Sequence, residues 1–545
     1  MDAPLKNERP ASKHIVVGAG PAGLTAALTL AEAGENVHVL EASGDVGGIA
    51  RTEQYKGYRF DIGGHRFFTK VGEVKKFWNR LMGDDFITVR RLSRIFYDGK
   101  YYDYPLRVSN TLGNLGLLES VRIGLSYINA RLRPTPSEDT FDQWVSNRFG
   151  RRLYQRFFET YTEKVWGIPC SSIRADWAAQ RIQNLSLMKA VRTALFGGND
   201  TASLIEEFQY PRLGPGMLWE RVRDNVIAHG GKVDTLTRVD VLHHDGEGHV
   251  HAVSATDFDG STHRLAAHSV INTMPLGRLV TSLEPPAPQH VLDAAHKLTY
   301  RDFLIVVLIV DEPDPFPDNW IYIHSPDVKV GRIQNFRSWS REMVPNEKRS
   351  SIGMEYFCHV GDGLWDADDQ ALIEQAGCEL ESLGLVNANN VVDGTVIRQP
   401  KAYPVYDEHY SCAVEIIRNY IEGFDNLHTV GRNGMHRYNN QDHSMLTAML
   451  AARNILGENH DVWNVNVERS YHEEFVTSNG TAVTNPSETI DRGTRTVRSS
   501  DSSASSEKNA THLSGEDAAH LDHESERIDK HAVKWRKRRK KSRVA

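Results

Sequence analysis

Cysteine is scarce in this 545-residue chain. Its four cysteines, Cys170, Cys358, Cys378 and Cys412, are widely scattered and form no C-x-x-C pair. That spacing argues against a disulfide scaffold and against a zinc site, so no metal is expected. A reducing, cytoplasmic setting fits best. Long apolar runs are missing too. None approaches the roughly 20 residues that span a bilayer, and the longest, Phe303–Val310, reads as a buried strand. The first residues, MDAPLKNERPASK, lack the apolar stretch of a signal peptide. There is no internal repeat and no evident Ser/His/Asp triad.

The net charge of −7 disfavours a general nucleic-acid binder. The C-terminal tip runs the other way. Lys534–Arg543 holds eight basic side chains, without which the net charge would be −15. Contact of this tip with an anionic surface is one expectation, and a solvated tail with no partner is the other. From about Phe475 onward the composition is Ser, Thr, Asn, Asp and Glu. Such a segment buries too little apolar surface to offset its ordering entropy, which predicts a disordered tail over 475–545. Residues 1–12 read as a flexible lead.

What is present is concentrated between His14 and Gly64. Ile15–Val17 read as a buried strand, followed by Gly18, Gly20 and Gly23 in G-x-G-x-x-G spacing. Gly18 permits the tight turn, Gly20 lets backbone approach a pyrophosphate, and Gly23 lets the helix Pro21–Ala33 sit close to the sheet. The helix N-terminus then faces the phosphates. Val37–Leu40 form the next strand, and Glu41 follows at the distance of an acid that binds a ribose hydroxyl. Strand, turn, helix, strand and acid are in register, which predicts a dinucleotide site.

Two glycine pairs follow, Gly47–Gly48 and Gly63–Gly64. An acid-ended strand with a G-G loop close behind resembles the FAD signature of amine oxidases, protoporphyrinogen oxidases, phytoene desaturases and UDP-galactopyranose mutases. Only glycine lets backbone come so near an extended FAD. The resemblance implies non-covalent FAD, with Arg51 helping to neutralise the pyrophosphate. His65, after the second pair, reads equally as a residue against the flavin ring or as a satisfied loop histidine.

Further segments are similar, in order, to the UDP-galactopyranose mutase family: RLSRIFYDGKYYDYPL (91–106), TFDQWVSNRFGRRLYQRFFETYTEKVWGIP (140–169), RADWAAQRIQNLSL (174–187), FQYPRLGPGMLWERV (208–222), GRIQNFRSWS (331–340), AYPVYDEHY (402–410) and GRNGMHRYNNQDHSM (431–445). The resemblance implies a nucleotide-sugar substrate whose diphosphate is held by Arg181, Arg332, Tyr403 and Tyr438. Gly431, Arg432 and Gln441 would face the flavin, and a helix from Ser444 would aim its positive end at the ring. The implied reaction interconverts pyranose and furanose rings with reduced flavin as nucleophile and no net redox change, NAD(P)H serving as reductant. Arg66 and Lys70 depart from that family's continuation and add positive charge beside the loop. Read singly, each candidate has a plainer role: Arg181 a surface ion pair, Arg332 an exposed arginine, Tyr403 loop packing. Met445, Met449 and Ala452 lie at helical spacing and predict core packing.

Two other functions stay open. One is an FAD-dependent oxidoreductase of the amine oxidase, protoporphyrinogen oxidase or desaturase type, taking hydride from an organic substrate. The other is a non-catalytic binding module. The predicted fold is α/β: a discontinuous Rossmann-like FAD-binding domain (14–90, 223–288 and 425–460), a helical insert (104–215), and an antiparallel-sheet substrate domain (91–103 and 289–424).

Overall fold

The computed structural model describes residues 13–104, 108–175 and 207–465. The lead 1–12, Arg181 and the tail 475–545 lie outside them. Five short strands make a wholly parallel sheet in the order Leu427–Thr429, Ser269–Asn272, His14–Val17, Val37–Glu41 and Lys232–Thr235. The central strand, HIVV, is buried throughout, because helices cover a parallel sheet on both faces.

The helix Pro21–Glu32 follows that strand directly. Proline at its first position sets φ for the helix and needs no N–H partner there. Nine of its twelve residues are buried, and its contacts are with the helices Gln441–Ile455 and Gly216–Ala228. Met445, Met449 and Ala452 lie in this core. A Cβ on Gly23 would collide with the Gly18 carbonyl oxygen, and Gly18 itself has φ of +98° and abuts Thr273. These two glycines are requirements of the fold itself.

A seven-stranded sheet carries the other half of the described chain. Its order is Val391–Pro404, Tyr300–Val310, Ser350–Cys358, Arg332–Asn335, Trp320–Ile323, Ser93–Tyr97 and Lys100–Asp103. It is antiparallel except where Trp320–Ile323 runs parallel to Ser93–Tyr97. Strand alternation gives it two faces. Leu304, Val306, Leu308, Ile352, Met354 and Tyr356 pack with Leu372, Ala376 and Leu380 of the helix Asp369–Ser382. On the other face Trp320 pairs with Gln334, Tyr322 with Arg332, and Arg332 with Glu355. That second face is the one that carries polar and charged groups.

Several sequence boundaries shift. The helix Gly216–Ala228 begins before the expected domain boundary at 223, and the last helix begins at Gln441 rather than Ser444. The stretch 104–214, expected to be largely helical, ends in a strand, Glu207–Pro211, paired with Phe86–Arg90. Within the expected helical insert, Gly150, at φ +82°, ends the helix Phe141–Phe149 against the backbone of Tyr127. The helices Gln289–His296 and Tyr410–Ile421 were assigned to the sheet domain. Their apolar residues instead share a core with Ile15, Val17 and Leu40 of the parallel sheet.

Gly23→Ala is expected to lower stability by roughly 1–3 kcal/mol, because the added methyl overpacks a helix–strand junction. Chemical denaturation of the flavin-free protein measures it, and an unchanged midpoint would contradict the reading.

Candidate cofactor cradle and cleft

At the carboxyl end of the central parallel strand, two glycine loops meet. Gly47 N–H donates to the Ala19 carbonyl at 2.8 Å. A Cβ on Gly48 would stand 3.1 Å from the Gly20 Cα. Gly20 differs from its neighbours: a Cβ there would meet only the Gly48 Cα, at an ordinary 3.8 Å. Among the described residues nothing crowds a Cβ at position 20, so the bare backbone there leaves room for a ligand. It stands at the N-terminus of Pro21–Glu32, where unpaired N–H groups and the helix dipole favour a phosphate. This is the cradle that FAD's pyrophosphate requires, and the residues present fit it.

The expected cofactor residues surround this point. Glu41 ends its strand, accepting hydrogen bonds from Ala19 N–H (2.7 Å), Ser43 N–H (2.7 Å) and Ser43 Oγ (2.7 Å). The carboxylate is thus fixed in orientation, with lone pairs left for a sugar hydroxyl. Arg51 donates to the Gly48 carbonyl (2.8 Å) and to Gln399 Oε1 (3.0 Å), and pairs with Glu53 (2.7 Å). It ties the glycine loop to the seven-stranded sheet. Gly431 packs on Ala22, where a Cβ would be 2.9 Å from the helix side chain. Gln441 accepts from the Trp219 indole at 3.0 Å, and Trp219 in turn lines Gly47.

Past the cradle, the polar face of the seven-stranded sheet meets the second glycine pair and gathers a cluster of polar and aromatic side chains. Gly63 faces Arg332, a Cβ there lying 3.6 Å from one guanidinium nitrogen, and Gly64 faces Trp339 and Gln334 at ordinary distances. His65 donates from Nδ1 to the Gly63 carbonyl at 3.0 Å. Burial, then Arg432, pushes its imidazole down to about 3, with Arg332 adding to the effect and the Gly63 bond opposing it. A neutral ring with Nδ1 as donor presents Nε2 as an acceptor. Both arginines therefore act on the loop that holds His65.

Arg332 pairs with Glu355 through Nε (2.6 Å) and one terminal nitrogen (2.5 Å). Burial works against its charge, but Glu355, Tyr403 and Tyr161 more than offset this and hold the guanidinium well above its usual range. Its other terminal nitrogen keeps its donors. Arg432 is held differently, by the Asn439 carbonyl (2.9 Å) and the Ala402 carbonyl (3.3 Å). Its guanidinium lies 4.9 Å from the ring centre of Tyr438 and 5.6 Å from that of Tyr403. Among the described residues no carboxylate pairs with it. Tyr403 and Tyr438 stack at 5.6 Å. Burial and Tyr438 push the Tyr403 hydroxyl up to about 12, so it stays a donor at physiological pH.

The structure thus gathers His65, Arg332, Tyr403, Tyr438 and Arg432 in one cluster; Arg181 lies outside the described residues. It also shows residues that the sequence reading passed over. Tyr161, from the helix Thr160–Trp166, stands 5.6 Å from Tyr322 and stacks on His324 at 4.6 Å. Tyr322 is the register partner of Arg332. Glu355 is wholly buried, and Asp61 beside it is pushed well above the carboxyl range by burial, with Tyr210 opposing and Glu355 adding. An acid inside the apolar strand SSIGMEYFC was the available signal for Glu355.

Comparison with known proteins agrees with this geometry. The flavin-containing amine oxidoreductase family matches residues 21–398, more than half of the chain. The chain belongs to that family. Among solved structures, reduced UDP-galactopyranose mutase superposes with a TM-score of 0.72 at 20% identity, over 83% of this chain and 97% of the other. A putative protoporphyrinogen oxidase from Exiguobacterium sp. gives 0.62 at 16% identity, over 82% and 99%. Putrescine oxidase gives 0.55 at 16%, over 82% and 99%. At such identities these likenesses establish the fold alone. An L-amino acid oxidase of Crotalus durissus cumanensis is 50% identical over 66 residues, 12% of this chain and 13% of its own length. The chain matches about an eighth of the length of that curated relative.

Two outcomes follow from the site. Gly20→Ala is expected to leave the flavin-free fold intact yet weaken FAD at least ~tenfold, since the methyl occupies the phosphate surface. Flavin content and thermal melting distinguish the two effects, and full flavin retention would contradict the cradle. Burial also pushes His324 down to about 3, helped by Lys164, and His436 down to about 4 against its bond to the Val405 carbonyl. Both are neutral in the fold but gain a proton on unfolding below the ordinary value of 6.5. Stability is therefore present above pH 6.5 and lost as pH falls towards 4, by about 1.4 kcal/mol per pH unit per histidine. Denaturation midpoints of His324→Gln and His436→Gln should depend less steeply on pH than those of the parent protein.

Proposed function

We propose that the protein is a flavoenzyme of the UDP-galactopyranose mutase type, interconverting the pyranose and furanose forms of a nucleotide-sugar. The observation that carries this reading is the pair of guanidiniums beside the His65 loop, one of them with no carboxylate partner among the described residues. An amine substrate arrives as a cation or must lose its proton, and two arginines disfavour it. A diphosphate is matched by planar, delocalised guanidinium forks.

Reduced flavin, when bound, supplies the nucleophile and electron-rich ring that this chemistry needs. The chain's own residues do the rest. The free edge of Arg332 holds the leaving diphosphate and offsets its charge, and Arg432, which the resemblance sets against the flavin, joins that set through its place over Tyr403 and Tyr438. Tyr403 and Tyr438 donate hydroxyl hydrogen bonds to it, and Tyr161 and Tyr322 extend that polar wall. Arg181 belongs to the same diphosphate set in this proposal. Fixing the diphosphate keeps the departing group within re-attack distance, so the ring re-closes before the fragments separate. The helix Gln441–Ile455 places its positive end towards the ring site. NAD(P)H as the source of electrons and a cytoplasmic location complete the proposal.

The holoenzyme, reduced with dithionite under anaerobic conditions, should convert UDP-galactopyranose to UDP-galactofuranose, and the oxidised form should not. Absence of turnover in the reduced state, with flavin bleaching by an amine or another hydride donor, would overturn the reading in favour of an oxidoreductase. Arg432→Ala leaves no buried acid unpaired, so it is a clean probe. The KM for the nucleotide-sugar should rise ~10- to 100-fold at unchanged flavin content.

A further inference from the structure

The helix Leu117–Leu132 is amphipathic in the wrong direction for a core element. Only Ile123 is buried in it. Leu118, Val121, Leu125, Ile128 and Leu132 repeat at alternating steps of three and four and form one stripe, and each is between 50% and 76% exposed. Leu117, at 84%, widens the stripe at its start, and Leu112 of the preceding helix adjoins it in sequence. Aliphatic side chains exposed side by side along one helix face, rather than scattered singly, mark an interaction surface.

Charge decides what fits it. The helix has one acid, Glu119, and this is turned inward, bound by Arg152 through Nε (2.5 Å) and a second nitrogen (2.8 Å). The exposed charged side chains flanking the stripe are Arg122, which also reaches Glu119 at 3.6 Å, and Arg131, with Arg133 just past the helix end. A second copy of the chain seated on this face by a two-fold axis would set arginine against arginine, the helix's single acid being already engaged by Arg152 and Arg122 of its own chain. Leucines flanked by arginines are the composition of a helix lying in a lipid interface, where the stems reach along the apolar face and the guanidiniums meet headgroup phosphates.

We infer that the face of Leu117–Leu132 docks on an anionic phospholipid surface. The helix lies on the bilayer and does not cross it; among the described residues no helix is long and apolar enough to do so. The sequence carries a second cationic element, Lys534–Arg543, and stable attachment generally takes two weak signals acting together. The inference does not depend on the reaction proposed above.

The test is co-sedimentation of the full-length holoenzyme with vesicles of phosphatidylcholine alone or mixed with phosphatidylserine, at low and high salt. The protein should bind the serine-containing vesicles and retain part of that binding at high salt. The Leu118→Glu/Leu125→Glu variant should bind at least ~tenfold more weakly, with flavin content and melting unchanged, because both positions are exposed. Equal binding of parent and variant would assign attachment to the basic tip alone and overturn the inference. So would the absence of vesicle binding. A dimer seen by analytical ultracentrifugation that the variant dissolves, without vesicle binding, would assign the stripe to a second copy instead.

Discussion

A carboxylate shut away from water organises the substrate side of this molecule. Glu355 sits on an inner strand of the seven-stranded sheet, Ser350–Cys358, and points to the face that carries charge. It binds Arg332 through two nitrogens and takes the side-chain amide of Gln334 on its other oxygen. A buried ion pair contributes little net stability, yet removing one partner costs about 3–5 kcal/mol, because the other is left charged in a poor solvent. Glu355 therefore fixes where Arg332 can stand. It also bears on Asp61, which runs into the Gly63–Gly64 turn, and on the hydroxyls of Tyr161 and Tyr403. One strand position thus coordinates a helix, a hairpin and a glycine loop that lie far apart in sequence.

The cradle and the cleft were legible to different degrees. Gly18, Gly20, Gly23 and Glu41 could be read because their geometry is local: a strand, a turn and a helix within thirty residues fix it. The structure adds a distinction within that set. Gly18 and Gly23 serve the protein's own packing, while at Gly20 no described residue stands in the way of a Cβ. Tyr161 and Tyr322 were not legible, since they meet only through the register of a hairpin and the placement of a helix from another segment. Glu207–Pro211 is a strand because Phe86–Arg90 offers it a partner more than a hundred residues earlier. Propensity within a helical neighbourhood could not show that. Gln441 begins its helix a turn before Ser444 because Asn440 supplies the extended residue ahead of it.

The two halves divide the work by chemistry. The parallel sheet and its first helix offer backbone N–H groups and bare glycine, which suit a pyrophosphate and discriminate little between dinucleotides. The antiparallel sheet brings the Arg332 guanidinium and the Tyr403 hydroxyl, and the loop after the parallel strand Leu427–Thr429 brings Arg432 and Tyr438 to meet them; in the proposed function these are the groups that would select a substrate. Members of one fold family can keep the first surface and change the second, which is why the fold alone does not name the reaction. Here the second surface carries two guanidiniums, and that sign is what the proposed function rests on.

Anaerobic titration of the oxidised holoenzyme, followed by flavin absorbance, tests that constraint most directly. Titration with UDP should perturb the flavin spectrum saturably without bleaching it, the perturbation should weaken in Arg432→Ala, and amines such as putrescine should neither perturb nor bleach the flavin. Bleaching by an amine, with no response to UDP, would contradict the account.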